Sequence, residues 1–102
     1  AAAGMDMPTE VNLLLGYVDG SGCEFQRNGS WHSAHEAQLH LREKFDYLVA
    51  WKRLDTTEQF IDRAATQSSL SGRAYMVRCN GEQAITSKKW LDDELLQLRM
   101  KP

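Results

Sequence analysis

Apolar residues recur along this chain with two different periods, and the changes between them mark out its elements. Val11, Leu14, Leu15 and Val18 fall at i, i+3, i+4 and i+7, which predicts an amphipathic helix from about Thr9 to Asp19. Pro8 suits its first turn, where a missing N–H costs nothing. Gly20-Ser21-Gly22 ends it. Cys23 to Arg27 is short and carries Phe25, and Asn28-Gly29 separates it from Ser30-Trp31-His32. Both central residues of a type I′ turn need positive φ, so Asn-Gly between two such segments predicts an antiparallel hairpin. Cys23, Phe25 and Arg27 then share one face, and Glu24 and Gln26 the other.

Ser33 with Glu36 forms a capping box and opens the longest helix, read from Ala34 to Arg53. Ala34, Ala37, Leu41, Phe45 and Leu48 make its core face, with Trp51 beside them. Thr56 with Gln59 is a second capping box, and the short helix it starts, to about Thr66, buries Phe60, Ile61 and Ala64. Gln67 to Gly72 is a polar loop. Tyr75, Val77 and Cys79 alternate with Met76 and Arg78, a strand period. Asn80-Gly81 signals a turn, with Gln83-Ala84-Ile85 as the returning strand. Ser87 is read as the cap of a last helix, in which Leu91, Leu95 and Leu98 form the buried stripe. Asp92, Asp93 and Glu94 are placed early in that helix, near its positive end. This order predicts an α+β fold: four helices packed around a small antiparallel sheet of two short hairpins.

Length and composition narrow the class. The chain has 102 residues, 42% hydrophobic and 25% charged, the balance of one small globular domain. No repeat or linker divides it, so residues 8–102 read as a single domain. No apolar run approaches the roughly 18 residues of a membrane span, and Val11 to Val18 is interrupted by Asn12 and Gly16. Net charge is −2, and the densest basic groups are the pairs Lys52-Arg53 and Lys88-Lys89, so no nucleic-acid partner is expected. Ala1 to Met5 has neither a basic nor an apolar signal region; residues 1–7 are read as a disordered remnant of a cleaved signal peptide or a scar of cloning.

The two cysteines, Cys23 and Cys79, are not in a C-x-x-C arrangement. They fit either two buried thiols or one disulfide. Each lies at the edge of an expected strand near an Asn-Gly turn, so pairing of those strands would bring the sulfurs together. A bond closing so long a loop is worth about 4 kcal/mol in the chain-entropy model, a large share of a small domain's stability.

Several stretches together resemble a known family. Cys23-Glu24-Phe25-Gln26-Arg27-Asn28-Gly29 resembles a C-x-F-x-R-N-G signature, and Ala34 to Lys44 resembles an A-x-x-A-x-x-H-L-x-x-K helix. Thr57 to Asp62 is similar to T-x-E-x-F-I-D with its first spacing shifted. Ser68 to Tyr75 resembles an S-x-x-S-G-x-x-Y loop, and Trp90-Leu91 closes the pattern. The whole, from about Val11 to Leu98, is similar to the YfeK-like family of small exported bacterial proteins. The resemblance implies a periplasmic protein with its signal peptide removed and supports a Cys23–Cys79 bond. It implies no function, catalytic residue or cofactor.

Candidate chemistry is sparse. His32, Glu36 and His40 are spaced by four and could hold zinc if they shared a helix face. Ser33 as N-cap places His32 outside the helix, so a solvated face with an ordinary Glu36–His40 pair is the simpler expectation. The Ser68–Ser71 loop offers hydroxyls but no G-x-S-x-G or S-x-x-K motif, so its serines are expected to bond local backbone. Arg27 and Asn28 at a hairpin tip, with Arg73 and Arg78 on or near another strand, could form an anion or carboxylate site. Trp31, Trp51 and Trp90 are expected to be structural rather than to line a groove. The expectation is a non-catalytic exported binding module whose partner is an envelope protein or a small anionic ligand, without a cofactor. The alternative is a small envelope hydrolase or metal-dependent enzyme using the His32/Glu36/His40 face or the Ser68–Ser71 loop.

Overall fold

Asp6 opens the first helix: its side chain accepts a hydrogen bond from the Thr9 backbone N–H at 3.0 Å. Helix α1 therefore spans Met7–Gly20 in the computed structural model, which describes residues 5–100. Of the segment 1–7 read as disordered, residues 1–4 lie outside the described residues. Asp6 and Met7 instead form the cap and first turn, and Met7 packs on the core. The apolar stripe could not show this start, because a polar cap sets it. Val11, Leu14, Leu15 and Val18 are all fully buried, as their spacing predicts.

The sheet follows from the two Asn-Gly turns. Asn28 and Gly29 have φ of 53° and 83°, and Asn80 and Gly81 of 50° and 77°, the left-handed pairs that a type I′ turn needs. Strands β1 (Glu24–Arg27), β2 (Ser30–His32), β3 (Met76–Arg78) and β4 (Ile85–Thr86) are antiparallel in the order β2-β1-β3-β4. The last strand is Ile85–Thr86 rather than Gln83–Ile85, because the Asn80-Gly81 turn is followed by a longer return. Phe25 pairs with Val77 on the inner face, where both are buried. Glu24, Gln26, Trp31, Met76 and Arg78 are paired on the outer face.

The register of β1 with β3 has two consequences. Past the Glu24–Arg78 pair it brings Cys23 opposite Cys79, and these are joined by a disulfide with Cα atoms 4.4 Å apart. Past the Gln26–Met76 pair it brings Tyr75 alongside Arg27. The first positions the bond expected from the sequence; the second builds the candidate site.

Helix α2 (Ala34–Ala50) is capped by Ser33, whose hydroxyl accepts the Glu36 N–H at 3.2 Å. It stops three residues before Arg53. Lys52 adopts φ 54°, its N–H bonds the Val49 carbonyl, and the Arg53 N–H bonds that of Leu48. This is a Schellman end built without glycine, so no sequence signal marked it. Helix α3 (Thr57–Ala64) is capped by Thr56, which accepts the Gln59 N–H at 3.2 Å. Helix α4 (Ser87–Met100) begins one residue earlier than expected. Thr86, not Ser87, accepts the Lys89 N–H at 3.3 Å, while the buried Ser87 donates its N–H to the Tyr75 carbonyl. Asp92 and Asp93 consequently lie beyond the first turn and pair with Lys88 and Lys89 at i,i+4.

A charged cluster joins α1, α3 and α4. Glu10 is buried, accepts the Thr57 hydroxyl at 2.6 Å, and accepts Arg99 Nε and Nη2 at 2.9 and 3.0 Å. Arg99 also donates to both oxygens of Glu58. The tryptophans are dispersed. Trp90 packs between Tyr17 and Phe25, Trp31 lies on the outer sheet face, and Trp51 is 63% exposed at the end of α2. No helix among the described residues is long and apolar enough to cross a membrane.

Candidate functional site

The inner faces of β1 and β2 and the facing side of α2 leave a concave pocket of about 290 Å³. Strand alternation sends Arg27 and His32 into it along with Phe25, because these three share the inner face. From α2, Glu36, His40 and Glu43 reach it at helical spacing, with Ala37, Leu39 and Leu41 forming apolar wall. Tyr75 completes the wall from beside Arg27.

Hydrogen bonds across this pocket run in a direction that chemistry decides. Arg27 Nη1 lies 2.7 Å from His40 Nδ1, and an arginine can only donate. His40 Nδ1 must therefore accept, so the imidazole is neutral with its proton on Nε2. That proton points at the Tyr75 hydroxyl, 3.3 Å away. Lys44, also a pure donor, reaches the same hydroxyl at 3.1 Å, its ammonium 5.0 Å from the Tyr75 ring centroid. Burial, then the charges of Arg27, Lys44 and His32, hold His40 down to a pKa of about 4, consistent with a neutral ring near pH 7. Tyr75 is 6% exposed, and its oxygen accepts from both sides. Among the described residues nothing accepts the Tyr75 proton, and Arg27 has no carboxylate partner.

The His32/Glu36/His40 face, expected to be solvated with a Glu36–His40 pair, is rearranged. Glu36 pairs with His32 at 3.4 Å across the helix cap, not with His40. The hydrogen bonds from His32 and Ser33 hold the Glu36 carboxyl below its usual range. His40 turns inward to Arg27 instead of facing solvent, because β1 brings a donor beside it. Among the described residues no three His, Cys, Asp or Glu side chains converge as a metal site.

The arginine group separates. Arg27 lines the pocket. Arg78 is on the opposite sheet face, paired with Glu24 at 2.9 Å and lying 3.9 Å over the Trp31 ring. Asn28 accepts the Ser71 hydroxyl at 2.6 Å, so the Ser68–Gly72 loop docks on the hairpin tip. Arg73 covers the same tip: a Cβ on Gly29 would come 3.1 Å from its Nη1. Neither Asn28 nor Arg73 lines the pocket. Ser68 is buried and its hydroxyl accepts the Leu70 and Ser71 N–H groups, while Ser71 accepts that of Arg73. The loop serines thus bond local backbone, as expected, and lie outside the pocket.

The residues that sequence reasoning missed are Tyr75 and Lys44. Tyr75 read only as a strand position. Lys44 follows His40 by four, so a shared helix face was available as a signal, but nothing in the pattern pointed to Tyr75 as their common partner.

Comparison with known proteins agrees with the motifs. The family model described as "Family of unknown function (DUF5329)" matches residues 5–99. The chain is 47% identical over 51 residues to "Uncharacterized protein YfeK" of Salmonella typhimurium, a stretch covering 50% of this chain and 41% of that protein. No solved structure matches. With nearly its whole length matched by that model, the chain belongs to the DUF5329 family of unknown function and carries the YfeK-like pattern.

Proposed function

We propose that this domain is an exported, periplasmic binding module without catalytic activity, and that its site is the pocket between α2 and the β1–β2 hairpin. The observation that carries the reading is the Arg27 guanidinium: it opens on a concave, partly apolar pocket and has no carboxylate partner. Arg27 is half-buried, and an arginine without a carboxylate partner is a common means of holding an anion. Support for a non-catalytic role comes from His40, whose two ring nitrogens are both engaged within the network. A general base needs a nitrogen open to the proton it removes.

The test is thermal unfolding of the full chain with a panel of small anions and matched neutral compounds. Ligands that bind the native state raise Tm. At least one anion should raise it in the wild type and fail to do so in Arg27→Ala, while Arg78→Ala responds like the wild type. Equal Tm shifts in wild type and Arg27→Ala would remove the pocket from consideration. For compartment, the unprocessed precursor expressed in a Gram-negative host should fractionate with periplasmic markers; recovery with the cytoplasm would overturn export.

A further inference from the structure

We propose that the ligand of this pocket is a carboxylate bearing a compact apolar tail, its carboxylate held by Arg27 and the Tyr75 hydroxyl. The proposal rests on the pocket being the binding site, and it names what the site selects.

The argument is the direction of the hydrogen bonds. The network has a pure donor at each end, Arg27 and Lys44, and both lead to the Tyr75 oxygen. An oxygen that accepts from two donors still has its own O–H to place. Tyr75 is more than nine-tenths buried and lines the pocket, so this proton has the pocket as its outlet. Arg27 commits one Nη1 proton to His40 and keeps its remaining N–H donors. The polar groups left uncommitted at this end are therefore donors. A group that only accepts is their complement, and a carboxylate oxygen pair does so. A neutral amide would bring its own N–H donors against them.

The other walls choose between anions. Ala37, Leu39, Leu41 and Phe25 form an apolar stretch of wall, with Gln26, His32 and Ser87 as the further polar lining. Glu36 and Glu43 stand at the same pocket, and Glu43 is exposed. These two carboxylates repel any anion, and a dianion such as phosphate about twice as strongly as a monocarboxylate. At about 290 Å³ the space is at the small end for ligand sites, suited to a short branched tail. A branched four- or five-carbon acid satisfies charge, donor count and wall together.

Backbone amide NMR on the full, oxidised chain tests this with three probes: isovalerate, isovaleramide and inorganic phosphate. Isovalerate should shift the Arg27, Leu39, His40 and Tyr75 resonances in a saturable way; isovaleramide and phosphate should not. Tyr75→Phe removes only the O–H and should weaken isovalerate about tenfold, with the remaining spectrum preserved. Arg27→Lys keeps the charge without the fork and should also weaken it. Phosphate or isovaleramide shifting these resonances as strongly as isovalerate would overturn the carboxylate assignment and leave the pocket standing. Full-strength isovalerate binding by a folded Tyr75→Phe would overturn the role of the hydroxyl. No pocket shift with any probe would overturn both the assignment and the binding site beneath it.

Discussion

Two polar clusters in this small domain are built on opposite principles. At the junction of α1, α3 and α4, Arg99 faces Glu10 and Glu58, and Thr57 donates to Glu10. Cations and anions answer each other, the hydrogen-bond directions close, and the buried carboxylate of Glu10 is satisfied. Between α2 and the sheet, Arg27 and Lys44 both donate inward, through a neutral His40 and directly, to one tyrosine oxygen. Among the described residues no carboxylate pairs with either, although Glu36 and Glu43 line the same pocket. A closed cluster has no use for a ligand and acts on the fold; an open, donor-only cluster in a concavity leaves its last partners to be supplied from outside. Composition does not separate the two, since each contains an arginine and a hydroxyl.

The largest test of this contrast acts on the frame both clusters share. Replacing Cys23 and Cys79 by Ser should cost about 4 kcal/mol of unfolding free energy, the entropy of a loop whose ends are 56 residues apart. Urea unfolding followed at both clusters should show them lost in one transition. Separate transitions would mean that the pocket can loosen independently of the helical junction.

Arg99→Ala opens the closed cluster and leaves Glu10 buried without its cation. We expect a loss of about 2–3 kcal/mol in urea unfolding, below the full cost of a broken buried pair because Arg99 is itself 37% exposed. A loss under about 0.5 kcal/mol would class the cluster with ordinary surface pairs.

Acid should distinguish the clusters by where it acts. Arg99 holds the Glu58 carboxyl down to a pKa of about 2, and Glu10 is lowered by the same guanidinium, with Thr57 helping. Their contribution is fully present above the ordinary carboxylate value near 4.5 and is lost as pH falls below it, for Glu58 toward 2. His40 is lowered from 6.5 to about 4, so the unfolded chain binds its proton first. Stability contributed by His40 is therefore lost between those two values as pH falls. His40→Gln should flatten the upper window of a stability–pH curve and leave the lower one; Arg99→Ala should do the reverse. One slope altered by both variants would mean the clusters titrate as a unit.

Tyr75→Phe should cost only about 1 kcal/mol, since the hydroxyl it removes is an acceptor for two donors that can relax toward water or ligand. A much larger loss would make the open cluster a structural one. The smallest effect belongs to Arg78→Ala, on the other sheet face. Its exposed pair with Glu24 and its contact with Trp31 together give about 0.5–1 kcal/mol. Pocket resonances should be unmoved.

The closed cluster and the open one were equally hidden from the sequence, for the same reason. Glu10 and Arg99 are 89 residues apart, and Arg27, His40 and Tyr75 meet across separations of 13 and 35. Local patterns carry no information on such meetings. What they do carry was legible. The stripes of α1 and α3 are buried where their spacing put them, as are Leu91 and Leu95 of α4, while Leu98 is partly buried. Ser33 and Thr56 cap the helices they precede, and both Asn-Gly pairs turn the chain with positive φ. Boundaries were misplaced where the helix ended without glycine, at Lys52, and where a tertiary bond from the Ser87 N–H to the Tyr75 carbonyl left the cap to Thr86. Arg78 was grouped with Arg27 although strand alternation, with Cys23 and Cys79 on one face, already puts the two arginines on opposite faces.

By itself, then, the sequence determined the elements, the pairing of the two cysteines as a structural possibility, and the membership of an unexplained family. Those depend on periodicity, on backbone preferences of single residues and on shared motifs, all local quantities. Only the tertiary structure decided the site. The register of β1 with β3 sets Tyr75 beside Arg27, α2 lays His40 and Lys44 against them, and the resulting excess of donors arises from three elements meeting in space.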